Sequence, residues 1–314
     1  MINSKVEKNY PLAHLSTYKI GGAAEYYIAV ENKVDLQEVV QWAKEQVLPI
    51  TILGGGSNIL INDAGVPGLV IKIANDILTI DQEIIICGAG CEVKQVSETA
   101  YEQALSGIEW SIGIPGGMGG AIRGNAGAHG GSFDKVVTSV KIFDMKTGIF
   151  KKFLNNDCCF QYRHSVFKDD ISLIVWEVTM QLQKGNKIEM AKVMEDYREY
   201  RRQSQPKEPS AGCVFKNLLV TDVQKINPDV VAMAEADGKV RGGKIGAGYL
   251  IEKLGLRGYQ VGGAMISDKH ANFVPNTGTA KASDIIKIMT YVREKVKETY
   301  GIEMEDEIQL IGLH

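Results

Sequence analysis

Ile114–Gly131 reads IPGGMGGAIRGNAGAHGG, and eight of its eighteen residues are glycine. Such a run buries little apolar surface. It is either loose linker or backbone that something must approach closely. A flexible linker would be rich in serine and charge, whereas this stretch holds Ile114, Pro115, Met118 and Ile122, and Pro115 stiffens it. Close approach is the better reading. A second cluster, Gly54-Gly55-Gly56-Ser57-Asn58, follows the apolar run Ile50–Leu53. Successive backbone N–H groups free of side-chain bulk form a concave anion site, most often for phosphate. One triple glycine is as readily a tight turn, but two clusters suggest an extended ligand with a diphosphate. A Rossmann site needs G-x-G-x-x-G. The near matches at Gly54/Gly56, Gly88/Gly90 and Gly246/Gly248 end in Ile59, Val93 and Ile251, and no GxxxxGK[ST] occurs. A dinucleotide here implies a different fold.

Working outward, the first third alternates strand and helix. Tyr26–Val30, Ile50–Leu53 and Leu69–Ile73 read as strands. Asn32–Leu48 reads as a helix, with Val34, Leu36, Val39, Val40, Ala43 and Val47 at mostly helical spacing and Pro49 as its stop. Ile77–Ile80 and Glu83–Cys87 flank Asp81-Gln82 as a hairpin. Glu92–Leu105 is helical, Val136–Asp144 and Ile149–Phe153 form a second hairpin, and Ile171–Leu182 is a long strand. Lys187–Gln205 is a basic helix ending at Pro206. Ser283–Tyr300 is a helix with Ser283 as N-cap and Gly301 as stop, and Glu307–Ile311 is a last strand. The order predicts a mixed α+β protein of about three regions.

Bulk properties narrow the function. With 314 residues and a net charge of −3, the chain has room for a sizeable core and no strong attraction to nucleic acid or an anionic membrane. No apolar run approaches the roughly 20 residues of a membrane span. The N-terminal stretch lacks the apolar core of a secretory signal. The five cysteines, Cys87, Cys91, Cys158, Cys159 and Cys213, contain no CxxC pair, so free thiols in the cytoplasm are expected rather than disulfides or a metal site.

GGGSN (54–58), IPGGMGGAIRGNAGAHGG (114–131), YRHSVF (162–167), PSAGCVFKN (209–217), AGYLIEKLGLRG (247–258) and EIQLIG (307–312) occur in this order along almost the whole chain. Together they resemble the MurB family, the UDP-N-acetylenolpyruvoylglucosamine reductases. The resemblance implies an FAD-binding fold of the vanillyl-alcohol-oxidase (PCMH) type in two N-terminal domains, 1–76 and 77–206. A C-terminal α/β substrate domain, 207–301, and a strand at 302–314 returning to the active site complete the implied organisation. It implies a cytoplasmic, monomeric enzyme of peptidoglycan precursor synthesis, with FAD as cofactor, NADPH as hydride donor and a UDP-sugar as substrate. Cofactor contacts are implied for Gly54, Gly55, Gly56, Ser57, Asn58, Ile59, Pro115, Gly116, Gly119, Gly120, Ala121, Asn125, Ala126 and Gly127.

The implied reaction delivers hydride to the terminal carbon of an enolpyruvyl group and leaves negative charge on the α-carbon and carboxylate. Such a site needs a cation for the carboxylate, a group steadying the enol-like species and a proton donor. Arg163 matches the family's arginine, and a guanidinium fork suits a carboxylate. Glu307 matches its acidic residue. The third position departs from the commoner pattern, because PSAG is usually followed by the proton-donating serine and here by Cys213. A thiol, with an ordinary pKa near 8.5, is mostly protonated at neutral pH and can donate, though unlike serine it oxidises. Outside their motifs, these would read as a surface salt bridge, a solvated carboxylate and a small buried cysteine. Asn217, Tyr162 and His270 match substrate contacts, and Arg201 and Arg202 could face a diphosphate, although a charge run is more often a solvated helix face. Only fifty residues separate Arg163 from Cys213, which suits the family's shorter class without a tyrosine-bearing insertion. Two other readings stay open: an oxidase or dehydrogenase of the same fold acting on an alcohol, and a sugar-nucleotide binding module without redox activity.

Overall fold

The expected β-α-β pattern is present in the computed structural model, which describes residues 2–313. In chain order its first elements are β1 (Glu7–Pro11), β2 (Ala23–Val30), α1 (Lys33–Glu45), β3 (Ile50–Leu53), β4 (Ile59–Ile61) and β5 (Val66–Ile73). Next come β6 (Leu78–Asp81), β7 (Ile84–Gly88), α2 (Val93–Glu102), α3 (Met118–Arg123), β8 (Val137–Asp144) and β9 (Ile149–Leu154). Then follow α4 (Val166–Asp169), β10 (Leu173–Gln181) and α5 (Lys187–Ser204). The last are α6 (Val220–Ile226), α7 (Pro228–Ala236), α8 (Ala247–Lys253), α9 (Ala282–Tyr300) and β11 (Gln309–Ile311). The content is α+β.

The chain forms two units. The first comprises Ala24–Gly56 and Val66–Gln203 with the N-terminal residues up to Tyr10. The second comprises Pro11–Ala23, Ser57–Gly65 and the chain from Ser204 onward.

In the first unit, β1, β2, β5 and β3 lie in that order in one sheet, with β2 and β3 both parallel to β5. β5 is central and reads as a nearly continuous apolar run, as a strand covered on both faces must. α1 buries Leu36, Val39, Val40 and Ala43, and Asn32 caps it by accepting the Asp35 N–H at 2.9 Å. Its ends differ from expectation. Val34 and Val47 are exposed, and Val47 turns left-handed at φ 55°, so the helix stops at Glu45 before Pro49 acts. The second sheet runs β9-β8-β10-β7-β6 and is antiparallel throughout, confirming both expected hairpins.

At the turn between β8 and β9, the buried Asp144 carboxylate accepts Lys151 Nζ at 2.6 Å and the Lys146 N–H at 2.8 Å. Chiefly through Lys151, these bonds hold its pKa down to about 2. A carboxyl held low stabilises the fold above its unfolded value and loses that contribution as pH falls through the folded one. Asp144→Ala should therefore cost about 1–3 kcal/mol at pH 7, for a lost charged hydrogen-bond group. In thermal melts the gap to wild type should close as pH falls from about 4 toward 2.

In the second unit, α9 buries Ile285, Ile288, Met289, Val292 and Val296 and ends at Gly301 in the left-handed region, φ 71°. Its start is not capped by Ser283. The helix begins at Ala282, and the Asp63 carboxylate accepts the Ala282 and Ser283 N–H groups at 2.8 and 3.1 Å. β11 pairs in parallel with β4, Gln309 opposite Ile59. The terminal strand is shorter than expected, so Glu307 precedes it rather than beginning it.

Candidate active site

Glycine lets two stretches of backbone touch in the first unit. A Cβ on Gly55 would lie 2.5 Å from Gly117 N and 2.6 Å from Gly116 Cα. A Cβ on Gly54 would come no nearer than 3.8 Å to Gly120 N, and one on Gly120 would meet nothing within 4 Å. At Gly54 and Gly120 the backbone is therefore open, with no side chain within 4 Å of either added Cβ, which leaves room for a cofactor to come close. The anion-cradle mechanism is not how the start of α3 works, however. Its Met118 and Gly119 N–H groups are bonded to the carbonyls of Cys91 and Ala89, both at 2.9 Å. The other glycines of the run serve packing and turns: Gly131 admits the Trp110 indole against its backbone, and Gly116 and Gly130 adopt φ of 100° and 83°. Ala121 is buried in the core, Ala126 accepts the Phe133 N–H, and Gly127 pairs with Ser132. His129, given no part by the sequence, stacks on Tyr197 at 4.0 Å, and burial holds its imidazole below the usual value.

Arg163 sits in a tight turn of the same unit. Gln161 and His164 exchange backbone hydrogen bonds of 3.0 and 3.2 Å, and Arg163 takes φ 57°. Its guanidinium lies 5.4 Å from the Tyr162 ring centroid, which pairs two residues singled out from the sequence. Asn125 contacts the turn too, but as scaffold: its amide donates to Gln161 O at 3.0 Å and accepts the Asp134 N–H at 3.1 Å. His164, given no role, pairs with Asp169 at 3.0 Å.

Cys213 and Glu307 come together in the second unit. Cys213, half-buried after Gly212 (φ 80°), bridges to Phe273. Its neighbour Val214 accepts the Glu307 N–H at 2.8 Å, and Lys216 donates its N–H to Glu305 O at 2.9 Å. Asn58 secures the same segment, donating to Glu307 O at 3.0 Å and accepting the Gln309 N–H at 2.9 Å. Ser57 O accepts the Thr17 hydroxyl, and Ile59 begins β4. Next to Glu307, burial pushes the Asp306 carboxyl up, with Arg293 as its counter-charge at 3.9 Å.

The fully buried Asn272 was not singled out from the sequence. Its side chain accepts the Phe215 N–H at 3.0 Å and donates to Phe215 O at 2.8 Å, while its carbonyl accepts the Val214 N–H. It thereby fixes the backbone just after Cys213. Asn217 Oδ1 accepts the Ala247 N–H at 3.2 Å at the start of α8. His270 Nδ1 accepts the Asn272 N–H at 3.3 Å. Burial, helped by the nearby Arg257 charge, holds this imidazole below its ordinary value. Arg202 bonds Glu195 and Glu199 of its own helix, a solvated ion-pair face, whereas the Arg201 stem lies 3.0 Å from where a Gly113 Cβ would be. Among the described residues, no helix is long and apolar enough to cross a membrane.

Both parts of the chain are similar to known protein families. Residues 24–153 match the FAD binding domain family, and residues 205–311 match the C-terminal domain of UDP-N-acetylenolpyruvoylglucosamine reductase. The reductase of Acaryochloris marina is 37% identical over 315 residues, covering 99% of this chain and 94% of that protein. That of Bacillus pumilus is 35% identical over 311 residues, covering 98% and 94%. The crystal structure of UDP-N-acetylenolpyruvylglucosamine reductase from Thermus caldophilus superposes with a TM-score of 0.78 at 32% identity, covering 98% of each chain.

Proposed function

Since the chain belongs to the UDP-N-acetylenolpyruvoylglucosamine reductases, FAD-containing oxidoreductases that use NADPH in peptidoglycan synthesis, we propose that Arg163, Cys213 and Glu307 carry its reaction. The observation that supports this most is the hydrogen bond from Glu307 N to Val214 O, 2.8 Å, which ties the acidic residue to the segment bearing Cys213.

Bound FAD supplies the hydride chemistry, and the chain supplies charge, proton and position. Gly54 and Gly120 offer it open backbone, Gly55 and Gly116 hold the two stretches together, and Gly56, Pro115, Gly119, Ser57, Asn58, Ile59, Ala121, Asn125, Ala126 and Gly127 are the remaining contacts. The Arg163 guanidinium takes the substrate carboxylate in its fork and draws charge away from the double bond. Glu307 steadies the enol-like species. Cys213 gives its Sγ proton to the α-carbon, so that hydride and proton together saturate the double bond. Asn217 donates its amide to a phosphate, His270 donates from Nε2, and Tyr162 flanks Arg163. The segment 207–301 serves the substrate, and 1–76 with 77–206 the flavin. The short span from Arg163 to Cys213, filled by α4, β10 and α5, supports the shorter class of the family. A cytoplasmic monomer completes the proposal, with free thiols suited to a reducing compartment.

Arg163→Lys and Glu307→Gln test the assignment. Each should slow reoxidation by the enolpyruvyl substrate about 10²-fold, as loss of a charge-stabilising group does. Reduction by NADPH should stay within about twofold of wild type. Normal reoxidation in both variants would remove these residues from the chemistry.

A further inference from the structure

Arg163 holds a left-handed backbone, φ 57°, that a branched-chain or long side chain rarely takes without outside support. The support is explicit. Lys168 Nζ donates to Arg163 O at 2.8 Å, and Asn125 Nδ2 donates to Gln161 O at 3.0 Å. The third tie comes from Ser165. It occupies the N-cap position of α4, where a serine oxygen ordinarily accepts a helix N–H. It makes no such cap. Its fully buried hydroxyl instead donates to Arg123 O, the last residue of α3, at 2.7 Å. Forgoing a cap in order to bond across 42 residues of chain costs α4 its usual start and gains a fixed height for the turn. The same α3 carries the open glycine face, so one rigid element sets both the cofactor's backbone and the arginine's turn.

We propose that Ser165 is a positioning residue for Arg163 in the enolpyruvyl reduction, acting through its bond to Arg123 O and not through stability alone. The inference rests on the reading of Arg163 as the cation for the substrate carboxylate. Misplacing such a group by about an ångström is enough to slow a reaction about 10²-fold.

The experiment is a double-mutant cycle on the FAD-loaded protein, with both half-reactions followed by flavin absorbance under anaerobic mixing. Ser165→Ala should slow reoxidation by the UDP-linked enolpyruvyl sugar about 10²-fold, with NADPH reduction unchanged. In an Arg163→Met background it should cost nothing further, because it acts only through Arg163. Lys168→Met, which removes an independent tie to the same turn, should slow the same half-reaction and serves if Ser165→Ala does not retain flavin. Unchanged reoxidation in Ser165→Ala, or an equal further loss on top of Arg163→Met, would overturn the positioning role. Normal reoxidation in Arg163→Met alone would instead overturn the reading of Arg163, and the two failures are therefore distinct.

Discussion

Replacing Cys213 by alanine should leave NADPH-driven bleaching of the flavin intact and stop its recovery on the enolpyruvyl substrate. Alanine fits the half-buried position and keeps the backbone bridge to Phe273, so the fold is not the variable. What disappears is the proton. Removing a positioned proton donor costs about 10²–10⁴-fold in rate, and the whole loss should fall on the oxidative half-reaction. Cys213→Ser should keep measurable turnover, since a hydroxyl can stand where the thiol stood. It should also outlast the wild type in dilute peroxide, because serine has no sulfur to oxidise. A Cys213→Ala protein that recovers its colour at the wild-type rate would place the proton donor elsewhere.

The second large effect concerns Gly55. A valine there must put its Cβ where Gly117 N, Gly116 Cα and Gly116 C lie within 2.8 Å, all of them backbone and unable to swing aside. Either the turn after β3 or the start of α3 has to move. Overpacking of this kind costs about 1–3 kcal/mol, and the open face next to it would lose its shape. Gly55→Val should therefore purify with little or no FAD and melt lower than wild type, measured by absorbance near the flavin band and by thermal denaturation. Gly120→Ala is the control, because its Cβ meets nothing within 4 Å of protein. It should keep the fold, and any loss should be in flavin affinity alone.

Much of this was legible in the sequence, for identifiable reasons. β5 carries a nearly continuous apolar run and α9 a strong helical apolar periodicity, and their burial follows directly from these patterns. The glycine run could be recognised as close-approach backbone because Pro115, Met118 and Ile122 are wrong for a linker. Which glycines do which task was not legible, since that depends on what faces each Cα: Cys91 and Ala89 for the start of α3, the Trp110 indole for Gly131. Long-range polar ties were equally hidden. Asp63 capping α9, Asn58 holding Glu307 across 249 residues and Asn272 gripping Phe215 leave no local signature, because each partner lies far away along the chain. Ser283 was the natural cap to expect for α9, and Asp63 outcompetes it by accepting two N–H groups at once. Val47 reads as helical by spacing, yet the chain turns left-handed there and exposes it.

Hydride from NADPH and a solvent-exchangeable proton should together saturate the enolpyruvyl double bond. The most direct measurement is an anaerobic double-mixing stopped-flow experiment on the wild type, with NADPH first and the enolpyruvyl UDP-sugar second, in heavy water. The flavin should bleach, then recover in a single phase upon the second mixing, and the product should carry deuterium at its α-carbon. A flavin that stays bleached without oxygen, or a product with no solvent deuterium at that carbon, would contradict it.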